Sequence, residues 1–141
     1  MRIVADTNIV LSGLLWPGPP RQLIDRAREG IITLHTSVVM LAEFAEVIGR
    51  GKFALRIQRA GVSAASLVED YRRLAVLVEP QALPAPVSRD VDDDQVLAAA
   101  LAARAAVIVS GDEDLLTLGT FNNIRIVPAR QALDLIAAST A

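Results

Sequence analysis

Short β-branched runs alternate with longer helical periods along this chain, which leaves few architectures open. Such alternation is the sequence form of βαβ units on a mostly parallel sheet. Arg2–Ala5 reads as a first strand and Ile31–His35 as a second, with a helix over Arg21–Arg28 between them that Gly30 stops. Ser37 is placed to N-cap a helix running to Ile48, ended by Gly49 and Gly51. Lys52–Ala60 and Ser63–Leu74 read as a helical hairpin broken at Gly61, followed by a short strand over Val76–Val78. A linker carrying Pro80, Pro84 and Pro86 leads to the acidic run Asp90, Asp92, Asp93, Asp94 and then to QVLAAALAARA, a strong helix by propensity. Val107–Val109 is the clearest buried strand. A turn or short helix over Leu115–Leu118, a last strand over Ile124–Val127 and a helix opened by Pro128 and running to about Ala138 complete the chain. The expected fold is a three-layer α/β/α sandwich with a mostly parallel central sheet, and the 141 residues read as one domain.

The chemistry open to such a chain is bounded by what it lacks. There is no cysteine, so disulfides, thiolate zinc sites and cysteine nucleophiles are excluded. The one histidine, His35, leaves oxygen as the available ligand atom, and oxygen favours magnesium, manganese or calcium. At a strand end without a second histidine, His35 itself reads as structural or exposed. A net charge of −2 gives no overall attraction to a polyanion, so any such partner must be met by a local basic patch or through a metal. No apolar run approaches a membrane span, and MRIVADTN enters a strand with no signal-peptide pattern, so a cytoplasmic protein is expected.

Four acids recur where this architecture would gather them: Asp6 in VADTN, Glu43 in VMLAEFAEV, Asp93 within RDVDDDQVL, and Asp112 in VIVSGDEDLL. Asp6 and Asp112 end strands, where open α/β sheets place ligands. Glu43 lies at the edge of the apolar arc made by Met40, Leu41, Phe44, Val47 and Ile48, whereas Glu46 points further toward solvent. Two like charges about 4 Å apart repel by roughly 4 kcal/mol at an effective dielectric near 20. A gathered set therefore needs protons or a divalent cation. Read singly, each acid has an ordinary alternative: a turn former at Asp6, a helix-surface glutamate at Glu43, and N-cap or first-turn charges at Asp90, Asp92 and Asp94.

The series VADTNIVLSGLL, SVVMLAEFAEVI and RDVDDDQVLAAALAARAAVIVSGDEDLL, in that order, resembles a PIN domain, the nuclease domain common among toxins of bacterial toxin–antitoxin pairs. The resemblance implies a metal-dependent endoribonuclease in which acids surround Mg²⁺ or Mn²⁺. Position by position, it implies catalytic roles for Asp6, Glu43, Asp93 and Asp112, with Asp6, Asp93, Asp112 and Asp114 toward the metal. It selects Asp93 from its acidic run, and it implies that Thr7, Asn8 and Ser110 hold ligands or water. By the same resemblance the partners are an RNA substrate, a small antitoxin and a second copy of the chain.

Arg50, Lys52, Arg56 and Arg59 follow the Glu43 helix as a basic segment that could carry an RNA backbone, although a solvated helix face is the ordinary reading. Trp16 and Tyr71 stand too isolated in sequence to suggest base stacking. Two other classes fit parts of the pattern. Phosphoryl-transfer proteins of the receiver or haloacid-dehalogenase type also carry strand-end acids, but here Asn8 stands where the latter want a second aspartate, and Lys52 is the only lysine. A PIN-like module that binds RNA or protein without cutting is the other.

Overall fold

A computed structural model describes residues 1–140. Six strands form one sheet: β1 (Arg2–Ala5), β2 (Thr33–Thr36), β3 (Val76–Leu77), β4 (Val107–Val109), β5 (Thr120–Phe121) and β6 (Ile124–Val127). Their order is β3-β2-β1-β4-β6-β5, parallel throughout except for the β5–β6 pair. The expected α/β sandwich is therefore the fold observed.

Eight α-helices cover the sheet: α1 (Thr7–Leu15), α2 (Pro19–Arg28), α3 (Val38–Ile48), α4 (Ala54–Arg59), α5 (Ala64–Leu74), α6 (Val91–Ala103), α7 (Glu113–Leu118) and α8 (Ala129–Thr140). Strand side chains alternate between faces, so each strand serves two cores. Ile3, Ala5, Val107, Val109 and Val127 pack with α1, α2, α3, α5 and α8. Val4, Ile108, Ile124 and Ile126 pack on the other face with α6 and α7. α6 meets the sheet through Leu97 and the fully buried Ala99 and Ala100, whose small side chains let the helix lie close.

Ser37 caps α3 as its sequence predicts, accepting the Met40 N–H at 3.2 Å, and Gly30 takes φ +77° just beyond α2. Other limits shift. The second strand begins at Thr33 rather than Ile31, and Lys52 falls in a 3₁₀ turn (Gly51–Phe53) ahead of α4. α8 continues past Ala138 to Thr140. Two elements carry too little local signal to be read. α1 buries six of its nine residues and so lacks a polar face to give a helical period. β5 is a two-residue strand turned back on β6 through Asn122 and Asn123, both at positive φ, the geometry of a tight hairpin turn.

Gly13 is required where α1 crosses α2, since a Cβ there would stand 2.7 Å from the Pro20 carbonyl oxygen and 2.6 Å from Ile24 Cδ1. Beneath α3 and α5, Phe44 and Tyr71 meet edge to face at 5.7 Å. The Tyr71 hydroxyl is buried without a hydrogen-bond partner. Tyr71→Phe keeps the ring and removes that cost, so urea unfolding should show a gain of about 1 kcal/mol. A loss of stability would mean that the hydroxyl is paired after all.

Candidate metal centre

β1 is the switch point of the sheet: the chain leaves it toward β2 and β3, then returns on its other side with β4. Ligands bind in α/β sheets at the carboxyl ends of such strands. Ala5 pairs in register with Val109, so Asp6 and Ser110 emerge together just beyond. The Asp6 N–H donates to the Val109 carbonyl at 2.9 Å and continues the ladder by one residue.

Asp6 caps α1. Its carboxylate accepts the Thr7 N–H at 2.8 Å and the Ser110 hydroxyl at 2.9 Å. Burial pushes its pKa up, the Ser110 and Thr7 hydrogen bonds oppose that shift, and the charges of Asp112 and Asp90 add to it. Thr7, itself buried, donates through its hydroxyl to Glu43 Oε2 at 3.2 Å. Glu43 is likewise raised, first by burial and then by the charge of Asp92. Thr7 and Ser110 thus tie Asp6, Glu43 and the end of β4 into one network. Asn8 is exposed on the first turn of α1.

The densest crowding lies on the α6 side. Asp93, Asp112 and Asp114 each bring one carboxylate oxygen within 4.8 Å of the others. Only 5% of Asp93 is exposed. Burial comes first among the causes that push its pKa up to about 7, followed by a hydrogen bond with Asp112, while the Ser88 hydroxyl at 3.1 Å works against them. Carboxylates this close are tolerated only with a proton or a cation between them. Asp112 is fixed from both sides: its N–H donates to Ser110 Oγ at 2.9 Å and its carboxylate accepts the Leu115 N–H at 3.2 Å.

The acidic run divides its labour as folding requires. Asp90 caps α6 by accepting the Asp92 N–H at 2.9 Å. Asp94 turns away and accepts the Val87 and Ser88 N–H groups at 3.1 and 2.7 Å, which pins the proline-rich segment. Asp92 is exposed, and Asp93 alone of the run is buried against Asp112. Asp90 remains close enough for its charge to raise Asp6, Glu43 and Asp93 together.

Ser88 and Arg89 enter the centre without having been singled out in the sequence. Arg89 grips Asp114 with two hydrogen bonds of 3.1 and 3.0 Å, so one acid of the cluster has an internal counter-ion. The available signal was that Arg89 is the only basic residue between Arg73 and Arg104 and stands immediately before the acidic run. A cavity of about 700 Å³ opens beside this segment, lined by Pro84, Pro86, Arg89, Val91 and Asp94 among others, and adjoins the centre rather than containing it.

The basic segment lies elsewhere. Arg50 is paired with Glu46 at 2.8 Å, Arg56 donates to the Leu15 carbonyl at 2.7 Å, Lys52 sits over the Phe53 ring, and Arg59 is exposed. His35 is buried, with Nε2 2.9 Å from the Thr33 hydroxyl.

The donor set suits a hard divalent cation: three carboxylates from α6, the cap of α7 and its first turn, with Asp6 and Glu43 beside them and neither thiol nor imidazole present. Comparison with known proteins bears on the same residues. A family model described as a PIN domain matches residues 2–114, which takes in every acid of the centre. No curated protein matches the chain, and no solved structure does.

Proposed function

The chain belongs to the PIN-domain family, and from that premise we propose that it is a metal-dependent endoribonuclease acting as one domain over residues 1–141. The observation that carries the reading is the crowding of Asp93, Asp112 and Asp114 beside Asp6 and Glu43 at the switch point of the sheet. Asp93, Asp112 and Asp114 would hold Mg²⁺ or Mn²⁺, with Asp6 close by. Such an ion would supply Lewis acidity, activating water and offsetting charge on a phosphoryl oxygen.

The remaining side chains position and buffer. Ser110 and Thr7 fix the two oxygens of Asp6, and Ser110 also orients Asp112 through its backbone. Burial pushes the Glu43 carboxyl above its ordinary range, which suits it to accept or return a proton beside the metal. Arg89 balances the charge of Asp114. Against a receiver-like or dehalogenase-like phosphoryl transferase stands the position of the sole lysine, Lys52, which lies over Phe53 in the 3₁₀ turn and makes no contact with the acids.

The wider role we infer is that of a cytoplasmic toxin in a two-protein module, held by a small antitoxin and working as a homodimer. This part rests on family likeness. Exposed Val62, which lines a shallow cavity of about 330 Å³ on the α4–α5 side, and exposed Leu55 on α4 offer apolar surface for such contacts. Among the described residues no helix is long and apolar enough to cross a membrane.

The test is cleavage of end-labelled single-stranded RNA by the purified chain. Internal cuts should appear with Mn²⁺ or Mg²⁺ and vanish with EDTA. RNA held but left intact across the full metal range would instead favour the non-cutting binding module, and cutting that survives chelation would sink the metal reading.

A further inference from the structure

Trp16, isolated in sequence, is not isolated in the fold. It follows the last residue of α1 and meets Phe53 edge to face at 6.3 Å. The Arg56 guanidinium lies 5.7 Å from the centre of the Trp16 ring, anchored by its hydrogen bond to the Leu15 carbonyl. Lys52 lies 5.1 Å from the centre of the Phe53 ring. Trp16 nevertheless keeps 38% of its surface exposed. A partly exposed indole in an aromatic pair flanked by cations has the chemistry of a stacking platform for nucleobases.

Its place relative to the acids gives it meaning. α1 packs on α3, with Thr7 at the start of α1 bonded to Glu43 in the middle of α3. At the other end of α1, Trp16 meets Phe53 of the 3₁₀ turn that follows α3. Nine helical residues at 1.5 Å each separate the two ends by about 14 Å, a span of a few nucleotides. Between Glu46 and Glu69 the sequence has no acid and four basic residues. Arg50 is paired with Glu46, which leaves Lys52, Arg56 and Arg59 without an acidic partner among the described residues. In a chain of net charge −2, this end is positive while the other is crowded with carboxylates.

We propose that Trp16 and Phe53, with Lys52, Arg56 and Arg59, form a subsite for single-stranded RNA, stacking a base and holding phosphates a few nucleotides from the acidic centre. The proposal rests on the nuclease reading for its substrate class and deepens it. Unpaired cations favour a polyanion over an apolar protein partner, and the ring faces favour an unpaired strand over a duplex, whose bases are already stacked.

Trp16 is the only tryptophan, so indole emission reads this place alone. The full chain is titrated in EDTA, where no turnover occurs, with a short single-stranded RNA and with its duplex, following emission and the anisotropy of the labelled RNA. The single strand should quench Trp16 saturably and the duplex should not. Trp16→Leu should weaken binding about tenfold. The exposed double variant Lys52→Gln with Arg59→Gln should weaken it similarly and flatten its salt dependence, a test that survives if Trp16→Leu does not fold. Binding without quenching, full affinity in the double variant, or no RNA binding at all overturns the subsite. So does an emission change on simple dilution, which would show a second copy covering Trp16. Quenching without cleavage in Mn²⁺ keeps the subsite and removes the nuclease, and cleavage without quenching does the reverse.

Discussion

Asp93→Asn should abolish RNA cleavage while making the metal-free protein more stable. Removing one inner carboxylate of a divalent-metal site is expected to lower turnover on the order of a thousandfold, or roughly 4 kcal/mol of transition-state stabilisation. Stability moves the other way because this carboxylate is crowded. Its folded pKa is pushed up to about 7 from 3.8, so the folded chain holds the proton more tightly than the unfolded chain does. Below 3.8 both states are protonated and the group costs nothing. As pH rises from 3.8 to 7 the unfolded chain ionises first and stability is lost, and above 7 the full cost persists. An amide cannot ionise, and its N–H can donate to Asp112 in place of the shared proton. The gain in urea unfolding should therefore be absent near pH 4 and largest at pH 8. At about 1.4 kcal/mol per unit of displacement it amounts to a few kcal/mol at most. A variant that is destabilised at pH 8, or that still cuts, would show that Asp93 is an ordinary first-turn charge.

Saturating Mn²⁺ or Mg²⁺ should raise the melting temperature of the parent chain by several degrees at pH 8 and much less at pH 5. A ligand that binds only the folded state at about a hundred times its dissociation constant adds roughly 2.7 kcal/mol. Protons compete for the same oxygens. With Asp93 titrating at about 7, the metal must displace at pH 5 a proton that is mostly gone at pH 8, and burial pushes Asp6 and Glu43 in the same direction. Arg89 adds a second competitor at Asp114, but its charge does not change over this range. The ratio of the two shifts therefore reports the carboxylates. Equal shifts at both pH values would place metal binding away from Asp93.

Much of this was legible along the chain because it is local. Strand runs such as Val107–Val109 are recognisable from β-branched composition, and the Ser37 cap follows from one side chain's geometry. The choice of Glu43 over Glu46 needed only the wheel of a helix, and in the fold Glu43 meets Thr7 while Glu46 pairs with Arg50 in solvent. α1 was not legible for the opposite reason, since burial on most sides erases the period that marks a helix. β5 was too short to leave a pattern.

The chain alone displays the βαβ series and bounds the chemistry: no cysteine, one histidine, and acids at strand ends that demand protons or a cation. Tertiary structure decided how those acids are used. Asp90, Asp92, Asp93 and Asp94 are near-identical in sequence, yet one caps a helix, one stands in solvent, one is buried against Asp112 and one pins a loop. It also brought Arg89 to Asp114 across 25 positions and joined Trp16 to Phe53 and Arg56. Periodicity and capping depend on neighbours within a few residues, so a sequence displays them. Desolvation and charge repulsion depend on distances in space, which only the packed sheet sets.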